Sequence, residues 1–277
     1  MADREYQTIK LEREDGVTFL IFNRPEKRNA LNPQILAEAA AALTELETDD
    51  ETQVLVVTGA GDAFCAGMDL REYFRALDND PHGRHRAQAD AKLVTHHKLA
   101  NFPKVTIAMV NGWCFGGGLS PVVACDLAIA AEEATFGVSE VNWGIIPAGF
   151  VSKDLVHALS YRHAFYYTLT GEPFDGKRAE QIGLVNFAVP RAQLRERTME
   201  LARRLMQVSP VVLRAAKQAL RVVPHLSYDD AWDYLVTKNL ALRVLDPENS
   251  RQRGMQQFLD EKKYRPGLGP QPRPGQA

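Results

Sequence analysis

Cysteine is scarce in this chain: Cys65, Cys114 and Cys125 are the only three in 277 residues. An odd number without paired spacing argues against a disulfide framework and fits a reducing cytosol. An excess of either charge is also missing. Lys+Arg number 33 against Asp+Glu 35, a net charge of -2. That balance gives no electrostatic reason to expect nucleic acid or an anionic membrane as partner. Glycine (19) and proline (15) are at ordinary levels and 25% of residues are charged, which excludes collagen, low-complexity disorder and coiled coil. The opening residues, MADREYQTIKLERED, lack an apolar core, so they do not read as a signal peptide. One long uncharged run, Val105–Cys125, has the nominal length of a bilayer crossing. Asn111, Gly112, Gly116, Gly117, Gly118 and Pro121 interrupt it, and a lipid-exposed backbone there would leave its hydrogen bonds unmade. The expectation is a soluble, cytoplasmic protein.

What is present is an alternation of elements. Residues 6–13 and 17–22 (VTFLIF) bracket Asp15-Gly16, a dipeptide that accepts the positive φ angles of a hairpin turn. Asn32-Pro33 opens a helix with Ile35, Leu36, Ala39, Leu43 and Leu46 at helical spacing. Val54–Thr58, Val105–Val110 and Cys125–Ala130 are short continuous apolar runs, as expected of parallel strands covered on both faces. Residues 78–90 (DNDPHGRHRAQAD) carry almost no bulky apolar side chain and read as a mobile surface segment or frayed helix start. Beyond about residue 150 the pattern turns mostly helical. Pro210 starts one helix, and 228–245 and 248–261 read as two more. The tail RPGLGPQPRPGQA reads as disordered.

Three places carry candidate chemistry. Ala66-Gly67-Met68-Asp69-Leu70 lies a few residues beyond the strand at 54–58, and the glycine run ending at Gly118 follows the strand at 105–110. Glycines at a strand-to-helix turn let the backbone approach a ligand and aim free N–H groups at it. Two such loops can converge two donors on one oxygen, an oxyanion hole. Taken singly, each is better explained as an ordinary tight turn, and neither matches a nucleotide-binding fingerprint. The third is Glu140, a carboxylate in a stretch otherwise poor in charge. Desolvation there would raise its pKa toward the range useful for proton transfer, though for the residue alone a solvated surface Glu is the better reading. His96-His97 are adjacent and diverge on a helix, so they make a poor metal pair, and His82 and His85 lack a ligand set. No metal site is expected.

The arrangement as a whole resembles the crotonase (enoyl-CoA hydratase/isomerase) superfamily. The matching stretches are RPEKRNALN at 24–32, AGMDL at 66–70, MVNGWCFGGGLSPVVACDLAIA at 109–130, ATFGVSEVNWGIIP at 134–147, TG at 170–171 and AEQIGLVNFAVP at 179–190. The resemblance runs over residues 5–262 in the family's order and spacing. It implies an α/β fold, a spiral of ββα turns over 1–200. A helical trimerisation segment would follow at 201–262, with a tail at 263–277. It also implies a homotrimer or dimer of trimers, and an acyl-CoA thioester as substrate with no separate cofactor. By position, the N–H groups of Met68 and Gly117 would hold the thioester oxygen as it becomes an enolate. Lys27, Ala30, Ala66, Asp69 and Leu70 align with stretches that contact CoA.

The chain departs from the simple hydratases, which carry one catalytic Glu just after the glycine run and another at position 140. Here Ser120 stands at the first place and only Glu140 remains. NGWCFGGG, the following Ser-Pro, SEVNWG, LREYF and WDYL resemble the hydroxycinnamoyl-CoA hydratase-lyase family. Its members convert feruloyl-, caffeoyl- and 4-coumaroyl-CoA to a 4-hydroxybenzaldehyde, such as vanillin, and acetyl-CoA. That resemblance makes Glu140 the acid/base. Tyr73 and Tyr234 would bind the phenolic hydroxyl, the latter from a neighbouring subunit, and Ser120 and Trp143 would line the pocket. On the residues alone, both tyrosines fit packing. Another single-glutamate crotonase acting on non-phenolic acyl-CoA is the competing reading.

Overall fold

The computed structural model describes residues 5–262. The chain order is β1 (Ile9–Glu14), β2 (Val17–Phe22), α1 (Pro33–Glu47), β3 (Val54–Gly59), β4 (Ala63–Cys65), α2 (Pro81–Lys92), β5 (Val105–Val110) and β6 (Trp113–Phe115). Next come α3 (Leu119–Ala124), β7 (Leu127–Ala131), β8 (Thr135–Gly137), α4 (Val151–Ala158), α5 (Tyr161–Thr170), β9 (Phe174–Asp175), α6 (Gly176–Gln181) and β10 (Phe187–Val189). Four helices close the described chain: α7 (Leu194–Met206), α8 (Pro210–Val222), α9 (Tyr228–Leu245) and α10 (Ser250–Met255). The chain divides into two compact units. One holds the described residues up to Phe102 with Thr106–Met199, the other Pro103–Val105 with the described residues from Glu200 on.

In the first unit a six-stranded sheet runs in the order β1-β2-β3-β5-β7-β10. Asp15 (φ 48°) and Gly16 (φ 80°) make the left-handed turn of the β1–β2 hairpin. Every residue of β2, β3 and β5 is buried, and the β2–β3, β5–β7 and β7–β10 pairs are parallel, as continuous apolar runs require. The run expected at 125–130 forms a strand that begins at Leu127, because Asp126 instead accepts hydrogen bonds from the Thr106 amide and hydroxyl. Helix α1 is capped as anticipated: Asn32 Oδ1 accepts from the Ile35 amide at 2.9 Å, and Ile35, Leu36, Ala39, Leu43 and Leu46 are buried.

A second sheet, β4-β6-β8-β9, is what the sequence did not announce. Its strands are two or three residues long, too short to carry a period. The glycine loops therefore hang not from β3 and β5 but from β4 and β6. Gly59 and Gly112 turn the chain from one sheet to the other. A Cβ at Gly59 would run into the Ala63 carbonyl, and one at Gly112 into the Asp62 carbonyl. Asn111 Nδ2 locks the two corners by donating to the Gly59 and Gly61 carbonyls at 2.9 and 3.0 Å.

Residues 78–90 also depart from expectation, forming most of a regular helix. Asp80 Oδ1 caps α2 through the Gly83 amide at 2.8 Å, Pro81 pre-sets the first turn, and Ala87 is buried. A small buried face of Gly83 and Ala87 replaces the bulky stripe whose absence suggested a mobile segment or frayed helix start. The helices expected at Pro210, 228–245 and 248–261 are present as α8, α9 and α10, the last continued by a wider turn at Gln256–Asp260. The 263–277 tail lies outside the described residues.

Candidate active site

Strands β4, β6 and β8 are neighbours and parallel. Their carboxyl ends therefore open at one edge of the small sheet, where ligands collect in parallel sheets. The three segments leaving that edge are 66–68, 116–118 and 139–140.

On the first, Leu31 pairs with Met68 as an isolated parallel bridge. Leu31 N donates to the Gly67 carbonyl at 2.8 Å and Asp69 N to the Leu31 carbonyl at 2.9 Å. The pairing satisfies the Gly67 carbonyl and the Asp69 amide on either side and leaves the Met68 N–H out of the bridge. On the second, Gly117 lies in the helical turn Gly116–Gly118 that continues into α3. Neither the Met68 nor the Gly117 N–H donates a hydrogen bond among the described residues. The two amides lie side by side: a Cβ at Gly67 would sit 3.4 Å from Gly117 N, and one at Gly117 would sit 3.6 Å from Met68 N. Met68 and Gly117 are half-buried, and backbone donors that the protein does not pair are met by water or a ligand, so two adjacent free donors form a site for an acceptor.

On the third segment, Glu140 opens a tight turn, Glu140–Trp143, closed by Gly144 at φ 73°. A Cβ at Gly116 would come within 2.9 Å of Glu140 Oε1, and Gly116 itself has φ +50°, so only glycine lets this carboxylate reach the loop. Glu140 Oε2 is buried without a hydrogen-bond partner. Burial pushes the carboxyl above its usual range, opposed only by its own backbone amide. The desolvation expected from the uncharged stretch is thus present, and the carboxylate stands next to the paired donors.

The remaining expected residues fall differently. Tyr73 sits in a wide helical turn, Leu70–Phe74; it is buried, packs edge-on against Phe74, and its hydroxyl has no partner among the described residues. Burial raises its pKa, so it stays protonated as a donor. Ser120 is buried in the first turn of α3. Trp143 is 66% exposed. Lys27 is exposed at the end of the turn Pro25–Lys27, Leu70 is exposed, and Ala30 and Ala66 are half-buried. Tyr234 lies in the second unit on α9, half-buried beneath the Lys238 ammonium at 5.7 Å.

The Asp69 carboxylate is engaged by the protein itself. Its Oδ1 accepts the Arg71 and Glu72 amides at 2.9 Å each, and its Oδ2 meets Arg24 Nη1 at 3.1 Å. Burial pushes this carboxyl up, but the two amides and Arg24 outweigh it and hold the pKa below the usual value. Arg24 also binds Glu72 at 2.7 Å, and Glu72 binds Asn32 Nδ2 at 2.6 Å. Sequence reading missed Arg24, although it opens the RPEKRNALN stretch, because its partners lie more than forty positions away. Among the described residues no cluster of His, Cys, Asp and Glu is arranged to hold a metal, and no helix is long and apolar enough to cross a membrane.

Two unpaired amides beside a desolvated carboxylate are a device for stabilising an enolate and moving protons around it. The chain matches the enoyl-CoA hydratase/isomerase family over residues 12–266 and belongs to it. It has the crotonase fold: an enoyl-CoA hydratase from Bacillus anthracis superposes with a TM-score of 0.84 at 30% identity, covering 92% of this chain and 97% of that one. Among characterised relatives, a hydroxycinnamoyl-CoA hydratase-lyase from Pseudomonas fluorescens is 51% identical over 95% of this chain and 96% of its own length. The 2,3-dehydroadipyl-CoA hydratase of Escherichia coli is 32% identical over 91% and 95% respectively.

Proposed function

We propose that this enzyme hydrates 4-hydroxycinnamoyl-CoA thioesters (feruloyl-, caffeoyl- and 4-coumaroyl-CoA) and cleaves the product to a 4-hydroxybenzaldehyde and acetyl-CoA. The observation that carries the reading is the pair of free amides at Met68 and Gly117 with one buried carboxylate, Glu140, beside them. The 51% identity to a hydratase-lyase over nearly the whole chain supports the substrate class.

The thioester carbonyl accepts both N–H groups. Electron release from the para-hydroxyl makes Cβ electrophilic, with Tyr73 and a neighbouring subunit's Tyr234 hydrogen-bonding the phenolic oxygen. Glu140, ionised, takes a proton from water as its oxygen bonds to Cβ, and the alkene electron pair moves to the thioester oxygen. Glu140 then returns that proton to Cα, which completes hydration and leaves the carboxylate ionised. Glu140 next removes the β-hydroxyl proton. The Cα–Cβ bond breaks, its electron pair returns to the thioester oxygen, and the aldehyde leaves. A proton delivered to Cα by Glu140 gives acetyl-CoA. Water is the only co-reactant and the sum is redox-neutral, so the reaction calls for no cofactor beyond the CoA of the substrate. One pair of donors serves both halves, and losing one such donor costs about 10²–10³ in rate. Trp143, Lys27, Ala30, Ala66, Asp69 and Leu70 complete the substrate cleft. The working enzyme is a cytoplasmic homotrimer or dimer of trimers.

Product analysis by mass spectrometry on a panel of acyl-CoA esters tests this. Feruloyl-CoA should yield vanillin and acetyl-CoA without additives. Rapid hydration of crotonyl-CoA with feruloyl-CoA left intact would instead favour the non-phenolic crotonase. Tyr73→Phe and Tyr234→Phe should slow phenolic substrates selectively, by about tenfold each, the scale of one lost hydrogen bond to a charged group.

A further inference from the structure

The turn that carries Tyr73, Leu70–Phe74, is five residues long. So short a helical segment does not hold its shape in water unaided, because its first turn fixes more backbone than its few bonds repay. Its anchor is Asp69. Besides the two amides on its carboxylate, the Asp69 carbonyl accepts the Tyr73 amide at 2.9 Å and the Phe74 amide at 3.3 Å. The residue before Asp69 is Met68, bearer of one free donor. The stretch from Met68 to Tyr73 therefore carries both the amide that receives the thioester oxygen and the hydroxyl that meets the phenol. A cinnamoyl group is conjugated, planar and stiff, so the chain has to match a fixed spacing between those two contacts.

Glu72, the neighbour of Tyr73, ties this stretch to another part of the unit. Its Oε1 accepts from Arg24 Nη2 at 2.7 Å and its Oε2 from Asn32 Nδ2 at 2.6 Å. Arg24 is itself fixed: Nη1 donates to the Ala30 carbonyl at 2.7 Å, and its backbone amide donates to Asn29 Oδ1 at 2.9 Å. The buried Asn29 in turn donates to the Ala63 carbonyl at 2.8 Å, at the start of β4, the strand that leads into the Met68 loop. The connections close on themselves. They run forward from β4 through Met68 to Tyr73, and back from Glu72 through Arg24 and Asn29 to β4. The Glu72 side chain is 42% exposed, and ion pairs that solvent reaches contribute little to stability. Two bonds on separate oxygens do, however, fix where the backbone beside Tyr73 lies.

We propose that Glu72, held by Arg24 and Asn32, is a positioning residue that sets the Tyr73 hydroxyl against the phenolic end of the acyl group and thereby sharpens the preference for 4-hydroxycinnamoyl thioesters. The inference rests on the hydratase-lyase reading and on Tyr73 as its phenol contact. Glu72 touches no substrate and acts only through Tyr73. A contact group displaced by a fraction of an ångström loses much of its effect, which is why a supporting shell matters beyond its own stability contribution.

The test is a double-mutant cycle on the full-length enzyme, Glu72→Ala and Tyr73→Phe singly and together. Feruloyl-CoA is the substrate, and cinnamoyl-CoA, which lacks the hydroxyl, is the competitive inhibitor. Glu72→Ala should lower kcat/KM for feruloyl-CoA about fivefold, less than loss of the hydroxyl itself, and leave inhibition by cinnamoyl-CoA within about twofold of wild type. The double variant should match Tyr73→Phe, since Glu72 has nothing to position once the hydroxyl is gone. Wild-type kcat/KM in Glu72→Ala, losses that multiply in the double variant, or an equal weakening of cinnamoyl-CoA binding would each overturn the inference, the last two by marking a merely structural role. If Glu72→Ala does not fold, Glu72→Gln, which keeps one acceptor oxygen, carries the same cycle. A wild-type enzyme that leaves feruloyl-CoA untouched removes the functional reading and this inference with it. An active wild type with an unimpaired Tyr73→Phe variant removes the role of Tyr73 and this inference but leaves the reaction standing.

Discussion

At the scale of single residues, Glu140 concentrates the chemistry and the cost. Its carboxyl is pushed up by burial. The sign of the stability effect follows: a carboxylate whose folded pKa exceeds its unfolded one stabilises the fold when protonated, and that contribution is lost as pH rises through the unfolded value and on through the folded one. At neutral pH the ionised group is therefore a burden on the fold. Glu140→Gln should melt higher than wild type at pH 7 while turning over feruloyl-CoA slower by about 10²–10⁴, the span of general acid–base catalysis. Calorimetry and a coupled assay on the same preparation check both halves. In wild type the acid limb of kcat/KM should lie above the ordinary glutamate value of 4.5. The buried thiols show desolvation without function: burial raises Cys65 to about 12, which leaves it an inert packing group.

At the scale of elements, the turn carrying Tyr73 is held from outside itself. Asp69 caps it, Arg24 ties Asp69 to Glu72, and Glu72 reaches Asn32, which caps α1. Arg24 and Asp69 are both buried, with side chains 9% exposed. Asp69→Ala takes one of two carboxylates from Arg24, which keeps Glu72, and removes the cap of the turn, so it should lose about 1–3 kcal/mol in denaturant unfolding. The depressed Asp69 pKa gives this contribution a direction. It is complete above the ordinary aspartate value and disappears as pH falls through the lowered one, so wild type and variant should converge in strong acid. The same comparison shows what is readable locally. The Asp15-Gly16 turn, the Asn32 cap and the apolar runs of β3 and β5 each state their structure within a few residues. Helix α2 did not, because its cap at Asp80 was overlooked beside the missing bulky stripe.

At the scale of the whole molecule, α9 sets Trp232, Val236, Leu240 and Val244 four residues apart, exposed by 71%, 42%, 50% and 86%. A contiguous apolar stripe of this kind on a single chain calls for a covering surface. Light scattering should return three or six times the 30.9 kDa chain mass, and Leu240→Glu with Val244→Glu should lower it to the monomer. What the sequence determined by itself was the set of parts: the hairpin, the capped helix, the parallel strands, the two glycine loops and the odd carboxylate. Those follow from turn chemistry, capping and periodicity, which act over a handful of positions. What only the tertiary structure decided was their convergence. Three strands of three residues each, β4, β6 and β8, have no period to read, and their alignment sets residues 68, 117 and 140 at one edge. The Arg24–Asp69 and His96–Asp154 pairs belong to the same category, since side chains 45 and 58 positions apart meet only after the chain has closed on itself.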